Sequence, residues 1–167
     1  RVWRHSQQTA ALARRVAQAQ GADSRTADQS FTAGLLHDLG HLLLAEHWPD
    51  EHAQMAALAR GLPGGRAEAE LRTWQATHAD VGAYLLGLWG LPMPLVEAVG
   101  FHHAPAQSAD QFFTPLTAVH VANVLAHLDP PRDPDVFANS LDLEYLRRLK
   151  LVERLPHWLT LTTSSGL

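Results

Sequence analysis

Apolar residues recur along most of the chain at spacings of three and four, the period of a helix with one buried face. Trp3, Leu12 and Val16, with the alanines between them, mark a first helix over about residues 2–20. It stops at Gly21, a residue that tolerates the left-handed conformation in which many helices end. Asp23 or Ser24 can cap a second helix, which the spacing carries through Phe31 to about Ala45 with a bend near Gly40. Its core stripe is predicted to be Leu35, Leu36, Leu39, Leu42 and Leu43.

Pro49 suits the first turn of a short Ala-rich helix to Arg60, and the Gly- and Pro-containing loop from Gly61 to Arg66 separates two halves of one domain. A short helix near residues 67–75 leads to Thr77-His78-Ala79-Asp80, where threonine caps and the acid three residues on completes the signal for a helix ending at Gly90. Leu95 to His103 is read as helix, Ala104 to Phe113 as loop, and Thr114-Pro115 opens the helix of Val119 and Val124. Asp129 to Pro134 cannot continue it, and Leu141 to Leu159 supplies one or two more amphipathic helices. With no repeat and no strand pattern, the expected class is all-α.

Composition narrows the function. At 167 residues and 46% hydrophobic, the chain supports one domain with a core. Seventeen acidic against thirteen basic residues leave no basic face for nucleic acid or anionic membrane. Without cysteine there is neither a disulfide nor a thiolate site, so any metal takes nitrogen and oxygen ligands. No apolar run reaches the roughly 18 residues of a spanning helix, and a cytoplasmic location is expected. The chain enters its helical pattern at once, without an initiator methionine, as a piece of a longer protein would.

The chemistry lies in the eleven histidines. His37 and His41 are four apart and Asp38 is three from His41, so all three can lean toward one point off the leucine stripe. A carboxylate among apolar neighbours needs a cation or strong donors, and a metal suits the geometry. His5, His78, His102-His103 and His120 each fall near an end or kink of a further helix. His47, His52, His127 and His157 are read as solvated, His120 as a residue supporting a ligand, and Glu70 as favouring a helix start rather than orienting a ligand. The tryptophans are read as core or interface aromatics, and Arg147, Arg148, Lys150 and Arg154 as a solvated face.

Several segments together carry a resemblance. Trp3-Arg4-His5-Ser6, Ala33 to Gly40 with His37-Asp38, His78-Ala79-Asp80-Val81-Gly82, Leu88 to Pro92, and Val96 to Val99 with His102-His103 resemble, in order and interval, HDOD domains of the HD superfamily. The tail from Leu141 to Leu146 and from Arg154 to Trp158 is similar to endings of HDOD proteins joined to a response-regulator receiver. The resemblance implies an HD-type helical bundle, with a helical core over 1–127 and a helical extension of the same domain over 128–167, and a further N-terminal helical half outside this chain.

Metal-dependent HD phosphohydrolases, including the HD-GYP phosphodiesterases, imply a ligand set here of His5, His37, Asp38, His78, His102 and His103, with Asp38 bridging two ions. Where the family has an aspartate, the chain has Asn123. Where a lysine follows the His-Asp dyad, it has His41, and no Gly-Tyr-Pro segment follows His103. Asp38 and His41 are the candidates for catalytic roles, and the implied cofactor is one or two divalent ions of iron, manganese, zinc or nickel. The expected function is a signal-transduction output module that meets a partner protein, with a phosphorylated nucleotide as a candidate ligand and a homodimer as a candidate assembly. The alternative is a metal-dependent phosphohydrolase acting on a nucleotide or cyclic dinucleotide.

Overall fold

The structure, a computed structural model, describes residues 2–128 and 133–161, and every regular element among them is a helix. The order is α1 (Val2–Ala19), α2 (Ser24–Leu36), α3 (Leu39–His47), α4 (Pro49–Leu58), α5 (Gly65–Trp74), α6 (His78–Leu88), α7 (Met93–Phe101), α8 (Pro115–His127), α9 (Pro134–Asn139), α10 (Leu143–Arg148) and α11 (Leu155–Thr160). Short 3-10 turns follow α4 and α7 and precede α11.

Local chemistry sets the boundaries. Asp23 accepts the Thr26 amide at 2.7 Å to start α2. Thr77 and Asp80 form a reciprocal capping box that opens α6. Gly21 and Gly90 take positive φ where α1 and α6 end. Most of the segment predicted to interrupt the chain after α8, Asp129 to Arg132, lies outside the described residues. Within the rest, Asp133 caps α9 and Pro134 takes its first turn, where a missing amide costs nothing.

Helix α8 is the hub. Ten of its thirteen residues are buried, including Val119, Val121, Ala122 and Leu125, so it is apolar all round, as a central helix must be. α1, α2 and α7 pack on it, and Ala13, Val16, Ala33 and Ala98 join its core. Phe137, Tyr145, Leu146 and Trp158 of the C-terminal helices enter the same core, and Thr117 and Tyr145 share a buried 2.7 Å hydrogen bond. Arg148 donates to the carbonyls of Ala106 and Ser108, and Arg154 to that of Ala19. Arg154, half-buried, is therefore a clamp on the extension rather than a member of the expected solvated face, while Arg148 clamps from an exposed position on it.

The predicted single helix to Ala45 is two. It breaks at His37-Asp38, two to three residues before the expected bend at Gly40, because Asp38 adopts φ −98° and ψ 12°. The break rotates α3 relative to α2, and the expected leucine stripe does not survive it: Leu42 is 47% exposed whereas Leu44, outside the stripe, is buried. Gly40 instead meets the neighbouring helix. A Cβ there would fall onto the His78 carbonyl, and Gly82 of α6 faces Gly40 in turn. Of the five tryptophans, only Trp158 is fully buried, while Trp3, Trp48 and Trp89 are more than half exposed.

Gly40→Ala is accordingly expected to destabilise the metal-free protein at or beyond the upper end of the roughly 1–3 kcal/mol typical of overpacking, because the clash is with backbone. Gly87→Ala, in the same helix as Gly82 but with nothing within 4 Å of the added methyl, should stabilise by about 0.4–1 kcal/mol. Urea denaturation of the two variants checks both signs, and equal effects would contradict the α3–α6 contact.

Candidate metal centre

Three helices end in a histidine that turns back on its own helix. A helix leaves its last carbonyls without amide partners, and an imidazole at the end can supply the missing donor. At the end of α2, His37 Nδ1–H donates to the Gly34 carbonyl at 2.7 Å. At the end of α7, His102 Nδ1–H donates to the Val99 carbonyl at 2.7 Å. At the end of α8, His127 Nδ1–H donates to the Asn123 carbonyl at 2.9 Å. A carbonyl only accepts, so each ring carries its proton on Nδ1 and presents a bare Nε2 lone pair. For His37 and His102 those Nε2 atoms are buried and have no hydrogen-bond partner among the described residues.

The lone pairs gather around Asp38. Its Oδ1 lies 3.4 Å from His37 Nε2, 3.6 Å from His78 Nε2 and 4.0 Å from His41 Nε2. These separations are too long for good hydrogen bonds and suit groups that share a cation. His78 enters from the first turn of α6, held by the carboxylate of Glu70 on α5. Glu70 Oε2 accepts from the His78 amide at 2.8 Å and from its Nδ1–H at 2.6 Å, which leaves Nε2 of that ring bare as well. Glu70 is fully buried, and Arg66 Nε at 3.2 Å compensates its charge.

His103 stands at the exposed rim, its Nε2 3.1 Å from His78 Nε2. His5, on α1, reaches Asn123 on α8: its Nε2–H donates to Asn123 Oδ1 at 2.9 Å. His120 Nδ1–H donates to the His102 carbonyl at 2.8 Å, and its Nε2 accepts the Asp142 amide at 3.0 Å. Both its nitrogens are thus used in holding the backbone behind His102. Three groups place their ligand atoms within 4.8 Å of one another: His5, His37 and Asp38; His78, His102 and His103; and Asp38, His41 and His78.

Burial favours the neutral form of several of these imidazoles. It lowers the pKa of His5 to about 4, with the neighbouring His127 adding to the effect, and that of His41 to about 3. His37 is lowered and His102 lies well below its ordinary value for the same reason. Glu70 is pushed up by burial, but the hydrogen bonds from His78 more than offset this and bring it to about 2. Near neutral pH the pocket therefore offers neutral imidazoles and carboxylates, the forms in which these residues bind a metal.

The structure gathers all the sequence-derived site residues in one pocket: His5, His37, Asp38, His41, His78, His102, His103 and Asn123. It also corrects two assignments and refines a third. Glu70 orients His78 as well as capping α6. His127 is exposed, as expected, yet packs its ring 4.2 Å from that of His5, and the half-buried His52 sets its ring 5.7 Å from that of His41 rather than lying free in solvent. The signal for His127 was its place at a helix end, the same signal that marks His37 and His102.

Comparison with known proteins supports the reading of the fold. An uncharacterized protein of Treponema pallidum is 26% identical over 125 residues, covering 74% of this chain and 24% of that protein. Ribonuclease Y of Thermus thermophilus is 29% identical over 154 residues, covering 92% of this chain and 20% of that enzyme. The chain thus spans a quarter or less of these curated relatives. Among solved structures, a "Putative phosphohydrolase" from Shewanella amazonensis superposes with a TM-score of 0.68 at 22% identity, covering 94% of this chain and 62% of that one. The HDOD domain family model matches residues 1–105, the segment that carries His5, His37, Asp38, His41, His78, His102 and His103, and the chain belongs to the HDOD family.

Proposed function

We propose that this chain is a metal-binding signalling module in which a bound divalent ion organises the histidine pocket and a partner protein reads the outer surface. The observation that carries the metal assignment is the pair of buried, unpartnered Nε2 atoms of His37 and His102, each with its proton pinned on Nδ1 by a backbone carbonyl. Leaving a buried acceptor unsatisfied costs about 1–3 kcal/mol, and a ligated cation removes that cost. His5, His37 and Asp38 would hold one ion, and His78 with its imidazole neighbours a second. An imidazole-rich set with one central carboxylate suits iron, manganese, zinc or nickel. The partner reading draws on Tyr84, Leu88, Trp89 and Met93, all more than 60% exposed along α6 and its turn into α7.

Asn123 is what sets signalling ahead of hydrolysis. It brings no charge, and it occupies His5 Nε2, so an ion on that side must displace the Asn123 hydrogen bond before it gains His5 through that nitrogen. A bound ion would supply Lewis acidity and a bound water of lowered pKa, the chemistry of a phosphohydrolase. That second reading is favoured by the retained Asp38 and by the names of the ribonuclease and phosphohydrolase relatives. Asp38 would then position the water, and the neutral imidazoles would leave the site without the fixed cations that bind substrate phosphate.

Metal analysis after loading with iron, manganese or zinc should return at least one equivalent, and Asp38→Ala should abolish it; a protein that takes up no ion under any of these conditions is not the module proposed. Asn123→Asp should tighten binding about tenfold or more by adding a charged ligand and freeing His5, as read by competition with a chelator. On a generic phosphodiester and on cyclic dinucleotides the unaltered protein should show no turnover above that of the Asp38→Ala variant. Turnover that this substitution removes would promote the hydrolase reading over the signalling one.

The metal-free fold should also be acid-sensitive. His5, His37, His41 and His102 have folded pKa values below the ordinary 6.5, so between about 6.5 and 4 the unfolded chain binds more protons than the folded one. The stability they contribute is fully present above pH 6.5 and falls as pH drops through this window. Midpoints of urea denaturation measured from pH 7.5 to 4.5 should decline, and a flat profile would mean that the imidazoles are not buried as described.

A further inference from the structure

The stretch that carries His102 and His103 out of α7 is held from behind by α10. His120 of α8 stands between the two: its Nδ1–H donates to the His102 carbonyl at 2.8 Å, and its Nε2 accepts the Asp142 amide, just ahead of α10, at 3.0 Å. A ring that gives one bond and takes the other is a neutral strut with both nitrogens committed. At the far end of α10, Arg148 donates to the Ala106 and Ser108 carbonyls at 3.3 and 2.8 Å. The helix is itself seated on α8, since Asp142 Oδ1 accepts the Tyr145 amide at 2.9 Å and Tyr145 shares its 2.7 Å hydrogen bond with Thr117. The Arg148 guanidinium lies over the Tyr145 ring, 5.4 Å from its centroid.

The His102 carbonyl belongs to the peptide that leads into His103, so the bond from His120 fixes the direction in which the chain leaves α7. The Arg148 bonds fix the same chain where it runs on through Ala106 and Ser108. His103 lies between these anchors, its Nε2 3.1 Å from His78 Nε2. Val99 pins the His102 ring from within α7, whereas the place of His103 is set from outside that helix. We propose that α10 is a regulatory arm of the pocket, and that His120 and Arg148 are the positioning residues through which its docking sets His102 and His103 toward a bound ion. This rests on the pocket being a metal site and adds what governs its affinity.

The coupling runs both ways. An ion held by His102 or His103 favours the arrangement that docked α10 holds, so ion binding tightens α10 by the same factor with which docked α10 tightens the ion. A partner that draws α10 away would release the ion, and a loaded pocket would resist that partner. Two arginines separate this from a general loosening of the extension. Arg154 clamps the same extension, but onto the Ala19 carbonyl at 2.6 Å and Gln20 Oε1 at 3.1 Å, at the end of α1 rather than on residues 102–108. Losing either arginine removes hydrogen bonds from the extension, and only Arg148 holds the segment that follows the ligands.

The test is the zinc affinity of the full chain by chelator competition, set beside urea denaturation without metal, for the wild type, Arg148→Met and Arg154→Met. Both substitutions should lower the urea midpoint. Arg148→Met should also weaken zinc by about tenfold, the lower end of the effect of partners that orient ligands, while Arg154→Met binds zinc as the wild type does. In the wild type, zinc should slow exchange of the Asp142 amide more than that of the Leu161 amide at the end of α11. His120→Gln keeps a donor and an acceptor and should hold zinc more tightly than His120→Leu; if His120→Leu does not fold, Arg148→Met still decides. Zinc affinity unchanged in Arg148→Met, or weakened equally in both arginine variants, overturns the proposal while the pocket stands. A wild-type chain that takes up no zinc, manganese or iron(II) overturns both.

Discussion

The pocket depends on how closely α3 approaches α6. Gly40 sits against the main chain of His78, with Gly82 opposite, and no side chain fits between them. That contact fixes the first turn of α3 against the first turn of α6. His78 leads into one of these turns and His37-Asp38 into the other, so the 3.6 Å separation between Asp38 Oδ1 and His78 Nε2 follows from a backbone contact. A similar device acts behind it, where a Cβ on Gly34 of α2 would lie 2.9 Å from the Ala10 Cα of α1. Two glycines thus set the spacing on which the histidines converge, and the interior's resistance to compression transmits that spacing to the side chains.

Orientation has a separate origin. The histidines at the ends of α2, α7 and α8 satisfy carbonyls that the helices leave open, and that one hydrogen bond decides which nitrogen faces the pocket. Secondary structure therefore fixes the tautomers of three rings without any carboxylate. His78 lies at a helix start, where no carbonyls are open, and it is the ring that requires Glu70. The buried Glu70–Arg66 pair is costly to desolvate, and its return is the orientation of a neutral ring.

Much of this was legible in the chain. The helices, the caps at Asp23 and Thr77, the glycine stops and the approximate place of each pocket histidine follow from spacing and capping chemistry. The break at His37-Asp38 was not legible, because the residues around it continue a helical pattern and the signal for breaking is a side-chain-to-carbonyl bond that competes with the ladder. Leu42 was misplaced for the same reason, since a stripe carried across a break points the wrong way beyond it. Glu70 carried a weak signal eight residues before His78, but only the α5–α6 turn brings it onto that ring. Arg148 and Arg154 look like surface charges until the carbonyls they clamp are in place.

Charge balance then constrains how the pocket fills. Of its two carboxylates, Glu70 is already paired with Arg66, so Asp38 alone faces an incoming dication. Two dications would bring four positive charges against that single negative one, with neutral rings and the neutral Asn123 around them. On the proposed function, the first ion would therefore be the tighter one. A second is favoured only with an anion that shares the site, and the exposed rim at His103 leaves a way in for one. Linkage makes that coupling reciprocal: an anion that tightens the second ion is itself held more tightly when the ion is present. In a pocket with an aspartate at 123 the second ion would lean less on such an anion. On the proposed reading, Asn123 would thus favour occupancy conditional on a ligand over constitutive double occupancy, a property that would serve a signalling module better than a hydrolase.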